Sequence, residues 1–172
     1  MFTQRFWTST FALCAVLLAP RLALAQLEVV ATVPTLASVA KAVGGTKANV
    51  TSMALHTQDP HFVDANEFLI TVAKLFTGKK PSKSNNNWQV KEYIKQYLYR
   101  SGVDHNKTMI LIIDEGQKIP VFCLEILREF LNYETNEFKL LQIIIFAQKE
   151  FENMIKKYAN FADRINLYHY LR

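Results

Sequence analysis

The chain has 172 residues, half of them hydrophobic, which is enough to bury one core or two small incomplete ones. Its formal net charge is +5, and lysine and arginine are interspersed with acidic residues along the sequence. The composition therefore excludes a basic arm or stripe and gives no clear nucleic-acid signal.

The N-terminus has the layout of a secretory signal peptide, which we place at residues 1–25. Arg5 precedes an apolar stretch over residues 11–19, and the tripeptide Ala-Leu-Ala supplies small residues before Gln26. This apolar stretch is too short to span a bilayer permanently, so we expect no transmembrane span beyond the signal peptide. The leader predicts a periplasmic or secreted protein.

The composition changes sharply near residue 65. Twelve alanines fall in the first 65 residues and four in the remaining 107, whereas the number of asparagines rises from one to ten across the same line. Local structure does not require such a shift. It indicates two segments with different coding histories, joined between Asp64 and Asn66.

Residues 26–65 predict a strand, a helix and a second strand. The β-rich run LEVVATV (27–33) comes first, and Pro34 then opens a helix that has one apolar face and stops at a Gly-Gly pair. The run ANVTSMAL (48–55) is the second strand. This βαβ order is the start of a parallel sheet.

Two stretches of this segment, VVATVPTLASVAKAVGG and VTSMALHTQDPHFVDA, resemble the start of the periplasmic zinc or manganese substrate-binding proteins of ABC transporters. The resemblance covers roughly residues 1–65, and its Asp-Pro-His turn is specific. In that family the histidine of this turn is a metal ligand, which implies His61 as a zinc ligand here. A closed zinc site needs three or four ligands, and the other family ligands lie further downstream in that fold.

Residues 66–172 predict helices alternating with apolar strands. NEFLITVAKLF and WQVKEYIKQYLYRSG read as helices on either side of a polar loop. TMILIID (108–114), KLLQIIIFAQ (139–148) and INLYHYL (165–171) read as strands, and further helices separate them. Continuous apolar strands alternating with helices are typical of a parallel α/β sheet covered on both faces.

Polar residues end the two inner strands of this segment. Asp114 and Glu115 follow one strand, and Gln148 ends the next. Ligands of parallel sheets bind at the carboxyl ends of the strands. In a nucleotide hydrolase the first acid holds a magnesium-bound water, the second polarises the attacking water, and the polar residue next door senses the γ-phosphate. The alternative is that the two acids only cap the following helix.

The stretches MILIIDEGQKIP and LEILREFLNYETNEFKLLQIIIFAQKEF look like the ATPase domain of the ExeA-type AAA+ proteins of general secretion, which is close to transposition-helper ATPases. The resemblance covers most of residues 66–172. It implies ATP and magnesium as cofactors, other AAA+ subunits or secretion components as partners, and a cytoplasmic location that disagrees with the leader. It implies Asp114 and Glu115 as the Walker B pair, with Asp114 binding the cofactor. Gln148 would take the sensor-1 place, and Arg164 is a candidate arginine finger.

The phosphate loop of that family, G-x-x-x-x-G-K-[ST], lies upstream of the point where the resemblance begins. The 172 residues contain no such loop. Because this loop supplies backbone N–H groups and a lysine to the phosphates, a Walker B pair has little to act on without it.

We therefore predict an α/β fold, an incomplete P-loop-type parallel sheet with flanking helices, preceded by a short βαβ segment. Residues 66–172 would be a truncated AAA+ core running from Walker B to the last strand and inactive by itself. The alternative is a truncated periplasmic zinc- or manganese-binding component of an ABC transporter.

Two structural expectations follow from these interpretations. Strands around 108–114 and 140–147 should be parallel neighbours, so that the carboxylate of Asp114 and the amide of Gln148 share one sheet edge. Residues 27–55 should pack only loosely on the rest, because their hydrophobic faces were selected for a different sheet.

Overall fold

The computed structural model describes residues 26–52, 64–82 and 84–170. The strands of this part are β1 (Gln26–Ala31), β2 (Ala48–Ser52), β3 (Lys107–Ile113) and β4 (Leu141–Ile145). Its α-helices are α1 (Pro34–Gly44), α2 (Ala65–Thr77), α3 (Asn87–Tyr99), α4 (Val121–Phe130), α5 (Glu150–Ile155) and α6 (Ala159–Ala162). A π-helical turn, Arg100–Asp104, links α3 to β3.

The four strands form one parallel sheet in the order β2-β1-β3-β4. Its central strand β3 is apolar on both faces, since Leu111 points into the main core while Ile112 packs on the opposite side. Such strands require cover on both faces, as parallel sheets do. The predicted α/β class is confirmed, and so is the parallel pairing of the strands that end near Asp114 and Gln148.

The expectation that residues 27–55 pack loosely is wrong for the described part of that segment. β1 lies between β2 and β3 and shares hydrogen bonds with both. Val30 is 4% exposed in the main core, whereas Val29 and Ala31 pack with Ile112 on the other face. The last three residues of β1 are small or β-branched and buried, so they fit beside the apolar residues of β3.

Helices α2, α3 and α4 cover one face of the sheet. Asp64 caps α2 by accepting a hydrogen bond from the N–H of Glu67 at 2.8 Å, and Gly78 ends it in the left-handed conformation. Asn86 and Gln89 form a reciprocal capping box at the start of α3. The apolar faces of these helices meet the sheet in a core that includes Leu69, Val72, Val90, Ile94, Leu98, Met109, Leu111, Leu124, Leu127, Phe130 and Leu141.

The opposite face of the sheet is covered by α1 over β1 and β2. On the side of β4, the same face exposes Ile144 (44%) and Phe146 (39%). β4 also forms one edge of the sheet. Within the described residues, the sheet is therefore fully covered on one face and partly covered on the other.

The strand predicted at 165–171 is wrong over its described part, because residues 165–170 form neither helix nor strand. A β-rich composition makes a strand only where a neighbouring strand accepts its backbone hydrogen bonds, and none of the described strands pairs with this tail. Ile165 packs against the main core instead, and the hydroxyl of Tyr170 donates to Glu152 at 3.3 Å. The helices that the structure describes are all too short or too polar to cross a membrane.

Candidate functional site

The turns that follow β3 and β4 are held together at the carboxyl edge of the sheet. The N–H of Phe146 donates to the carbonyl of Ile113 at 2.8 Å, and the N–H of Gly116 donates to the carbonyl of Phe146 at 2.9 Å. The pairing of the two strands thus continues past the end of β4. It brings Asp114 and Glu115 into the same hydrogen-bonded region as the chain leading to Gln148.

Asp114 is positioned by the end of β1. Its backbone N–H donates to the hydroxyl of Thr32 at 3.0 Å, and the N–H of Thr32 donates to the carbonyl of Ile112 at 2.9 Å. The Oδ1 atom of Asp114 accepts from the N–H of Glu115 at 2.9 Å. The other carboxylate oxygen, Oδ2, has no hydrogen bond to any of the described residues.

Glu115 has a left-handed backbone, with φ of 55° and ψ of 42°. This conformation is uncommon for a residue other than glycine and reverses the chain after the strand. Its Oε2 atom accepts from the side-chain amide of Gln117 at 2.6 Å and lies 3.6 Å from the ammonium of Lys118. The carboxylate, 44% exposed, is therefore held at the surface of the edge rather than buried in the core.

Gln117 connects the two turns. While its amide nitrogen donates to Glu115, its Oε1 atom accepts from the backbone N–H of Gln148 at 3.0 Å. The side chain of Gln148 is exposed, and its backbone carbonyl accepts from the N–H of Phe151 in the first turn of α5. One side chain thus ties the acid after β3 to the polar residue after β4.

Gly116 allows the close approach of these turns. A Cβ atom added there would lie 2.4 Å from Cγ2 of Ile145 and 3.0 Å from Cβ of Ala147. Because an isoleucine Cγ2 belongs to a stiff, β-branched side chain, it has little freedom to move away. A side chain at this position would push the turn after β3 away from the chain after β4.

The other predicted site residues are not brought to this edge. Arg164 is exposed after α6, and no contact between its guanidinium and the edge is recorded in the described part of the chain. His61 lies outside the described residues. Within them, no group of three or more histidine, cysteine, aspartate or glutamate residues is arranged to hold a metal ion. Burial raises the pKa of the Cys123 thiol to about 12, so that side chain supplies no thiolate near neutral pH.

The sequence does not predict that two further residues, Thr32 and Gln117, belong to the site. Thr32 follows a strand far upstream of Asp114, and only the pairing of β1 with β3 brings it into contact. Gln117 belongs to the motif Asp-Glu-Gly-Gln, which is the one local signal for it. Neither residue carries a charge. Thr32 accepts from the backbone N–H of Asp114, whereas Gln117 donates to the carboxylate of Glu115 and accepts from the backbone N–H of Gln148.

The oxygen donors of this edge suit magnesium better than zinc. Magnesium is usually held in proteins by one or two carboxylates, several waters and the phosphates of a substrate. Asp114 supplies such a carboxylate, and Glu115 lies next to it in the chain. The phosphate-binding part does not fit, because the 172 residues have no glycine-rich loop ending in Gly-Lys-Ser or Gly-Lys-Thr.

A family model described as an AAA domain matches residues 22–155 of the chain. The match spans β1 to β4 and α5, and it crosses the change in composition near residue 65. No curated protein and no solved structure matches the chain.

Proposed function

Because the chain belongs to the AAA domain family, we propose that it is an ATPase-domain fragment of the general-secretion (ExeA) or transposition-helper type that is inactive by itself. The observation that supports this most directly is the linked edge of β3 and β4. There, Gln117 joins the carboxylate of Glu115 to the backbone of Gln148, beside an Asp114 whose Oδ2 has no recorded hydrogen bond among the described residues.

In this proposal each residue has a separate task. With the cofactor bound, Asp114 would hold a magnesium-bound water, while its Oδ1 accepts from the backbone N–H of Glu115. Glu115 would polarise the attacking water and accept its proton; Gln117 donates to Oε2 only, and a carboxylate has a second oxygen that can accept from water. Gln148 would hydrogen-bond the terminal phosphate. Magnesium with its nucleotide would neutralise the charge that develops on the phosphoryl oxygens.

We expect the isolated chain to be inactive because it has no phosphate-binding loop. A multiply charged phosphate chain needs a nest of backbone N–H groups and a lysine, and a carboxylate with waters holds magnesium weakly without them. Other AAA+ subunits or secretion components are the partners that would complete the site, with exposed Arg164 acting on a neighbouring subunit.

The origin of the chain is part of the proposal. The shift from alanine to asparagine near residue 65 supports two coding histories, and the leader supports export even though ATP is a cytosolic substrate. Sequencing genomic DNA across codons 60–70 tests this origin. A single uninterrupted reading frame in independent isolates would favour a natural protein, whereas a break at the junction would favour an artificial joining.

The enzymatic test is ATP turnover by the purified full-length chain with magnesium. We expect phosphate release no greater than buffer background, and no change in Glu115→Gln. The matched control is Glu150→Gln, which removes an exposed carboxylate from the first turn of α5. Circular dichroism establishes that all three proteins fold.

Turnover that disappears in Glu115→Gln but survives in Glu150→Gln would show that the chain grips phosphate without the usual loop, and the claim of inactivity would be wrong. Tight stoichiometric zinc binding that is lost in His61→Ala would instead favour the metal-transport alternative.

A further inference from the structure

A groove of about 620 Å³ lies between the loop after α2 and the outward face of α3. The loop contributes Lys79 and Lys80, and the helix contributes Trp88 and Tyr93. We propose that this groove binds single-stranded nucleic acid, with bases stacked on the aromatic rings and the sugar-phosphate backbone held by the lysines. The proposal does not rest on the ATPase assignment, because it uses none of the residues at the carboxyl edge of the sheet.

The aromatic residues of the groove are exposed on a rigid support. Trp88 is 70% exposed and Tyr93 is 38% exposed. The helix below them is fixed by its capping box and by Val90, Ile94 and Leu98, which are fully buried on its inner side. Large rings held out in solvent on a fixed helix lose little conformational freedom on binding, and every base has a face that stacks on them.

Lys79 and Lys80 supply the positive charge of the groove. Within the described residues, no ion pair is recorded for the ammonium group of Lys79 or Lys80. The backbone of Lys79 is held in place, because its N–H donates to the hydroxyl of Thr77 at 3.1 Å. Two adjacent cations beside a stacking surface attract phosphates and release their counterions.

Amide side chains complete the groove. Asn85 and Gln96 also line it, and amides can both donate to and accept from the edges of bases. Glu92 is the single acid among the described lining residues, and it accepts a weak 3.4 Å hydrogen bond from Gln96. The groove therefore keeps a positive balance at its lysine-bearing side.

The combination of exposed aromatic rings and lysines favours single-stranded nucleic acid over other ligands. A proline-rich peptide would use the rings but not the lysines, and a simple polyanion would use the lysines but not the rings. A duplex keeps its bases stacked inside and cannot offer them to Trp88. Between Trp88 and Gln96 the helix rises about 12 Å, which is enough length for more than one nucleotide.

The test is fluorescence anisotropy of a labelled oligothymidylate of twelve nucleotides, titrated with the full-length chain. With two phosphate contacts, log K should fall with log salt at a slope of about −1.4, so that raising the salt from 50 to 200 mM weakens binding about sevenfold. Trp88→Ala should weaken binding about tenfold, within the range measured for loss of one stacked base. The double variant Lys79→Gln/Lys80→Gln should weaken binding and remove most of the salt dependence.

Matched controls separate the groove from general effects. Lys41→Gln/Lys47→Gln removes the same charge from exposed positions in and after α1, and Tyr168→Ala removes an exposed ring from the C-terminal tail. Both should bind like the unchanged protein. Trp88→Phe keeps a stacking ring and should retain most of the affinity, which guards against misreading a folding defect in Trp88→Ala.

Several results would overturn the proposal. Equal binding by Trp88→Ala and the unchanged chain would mean that no base stacks there. Equal affinity for a hairpin duplex or for inorganic polyphosphate would mean that charge is the whole interaction. A mononucleotide that binds as tightly as the oligonucleotide would make this a nucleotide site, and displacement only by a proline-rich peptide would make it a peptide site.

Discussion

Thr32→Val changes one atom at the point where the N-terminal segment supports the candidate site. Thr32 is 6% exposed, and its hydroxyl accepts the backbone N–H of Asp114 at 3.0 Å. Valine has nearly the same shape but cannot accept a hydrogen bond. The substitution therefore tests whether the end of β1 holds the backbone at the end of β3.

The magnitude follows from two opposing effects. A buried N–H left without an acceptor costs about 1–3 kcal/mol, and the added methyl group returns up to about 0.8 kcal/mol by burial. We expect Thr32→Val to lower the free energy of unfolding by about 0.5–2 kcal/mol. For a chain of this size that corresponds to a decrease in Tm of about 1–8 °C.

Urea unfolding followed by circular dichroism measures the effect. Thr32→Ser keeps the hydroxyl and loses only a methyl group, at a cost of about 0.8 kcal/mol. Thr51→Val is the matched control, because Thr51 is exposed on β2 and its replacement should stay within about 0.5 kcal/mol of the unchanged protein. If Thr32→Val is as stable as the unchanged chain while Thr32→Ser is weaker, the hydroxyl does not serve Asp114 and the described contact is wrong.

Two further substitutions test the same edge and the start of the sheet. Gly116→Ala should lower stability by about 1–3 kcal/mol, because the new Cβ overlaps Ile145; an unchanged urea midpoint would mean that the two turns do not touch. The ammonium of Lys107 donates to Glu28 at 2.7 Å, and this contact raises the pKa of Lys107 in the folded protein above its ordinary value of 10.5. The contact therefore stabilises the fold fully below pH 10.5. The stabilisation is lost as the pH rises through the raised pKa of the folded state. The difference in unfolding free energy between the unchanged chain and Lys107→Met should therefore be constant up to about pH 10 and shrink above it. A difference that stays constant to pH 12, or one equal to that of the exposed control Lys41→Met, would contradict the ion pair.

Part of the candidate site is predictable from the sequence. The sequence predicts that Asp114 and Gln148 each end an apolar strand and that the two strands are parallel neighbours. The pairing of β3 with β4 confirms the parallel arrangement, and Asp114 directly follows β3, but β4 ends at Ile145, so Gln148 lies three residues beyond it. The bridging role of Gln117 is not predictable, since it depends on a turn geometry that brings two segments 31 positions apart within 3.0 Å. The catalytic roles of these residues stay predictions.

The sequence by itself determines the kinds and order of the elements from β1 to α5. Apolar runs of β-branched residues, helix caps and glycine stops act through neighbours a few positions away. The βαβ start and the alternation of strands and helices can therefore be predicted from the sequence. The tertiary structure decides which strands become neighbours. It places β1 between β2 and β3, pairs none of the described strands with residues 165–170, and brings Thr32 to Asp114 from 82 positions away. The physical reason is that a strand gains its stability from the hydrogen bonds and apolar faces of its partners, and those partners are chosen by the whole sheet rather than by local sequence.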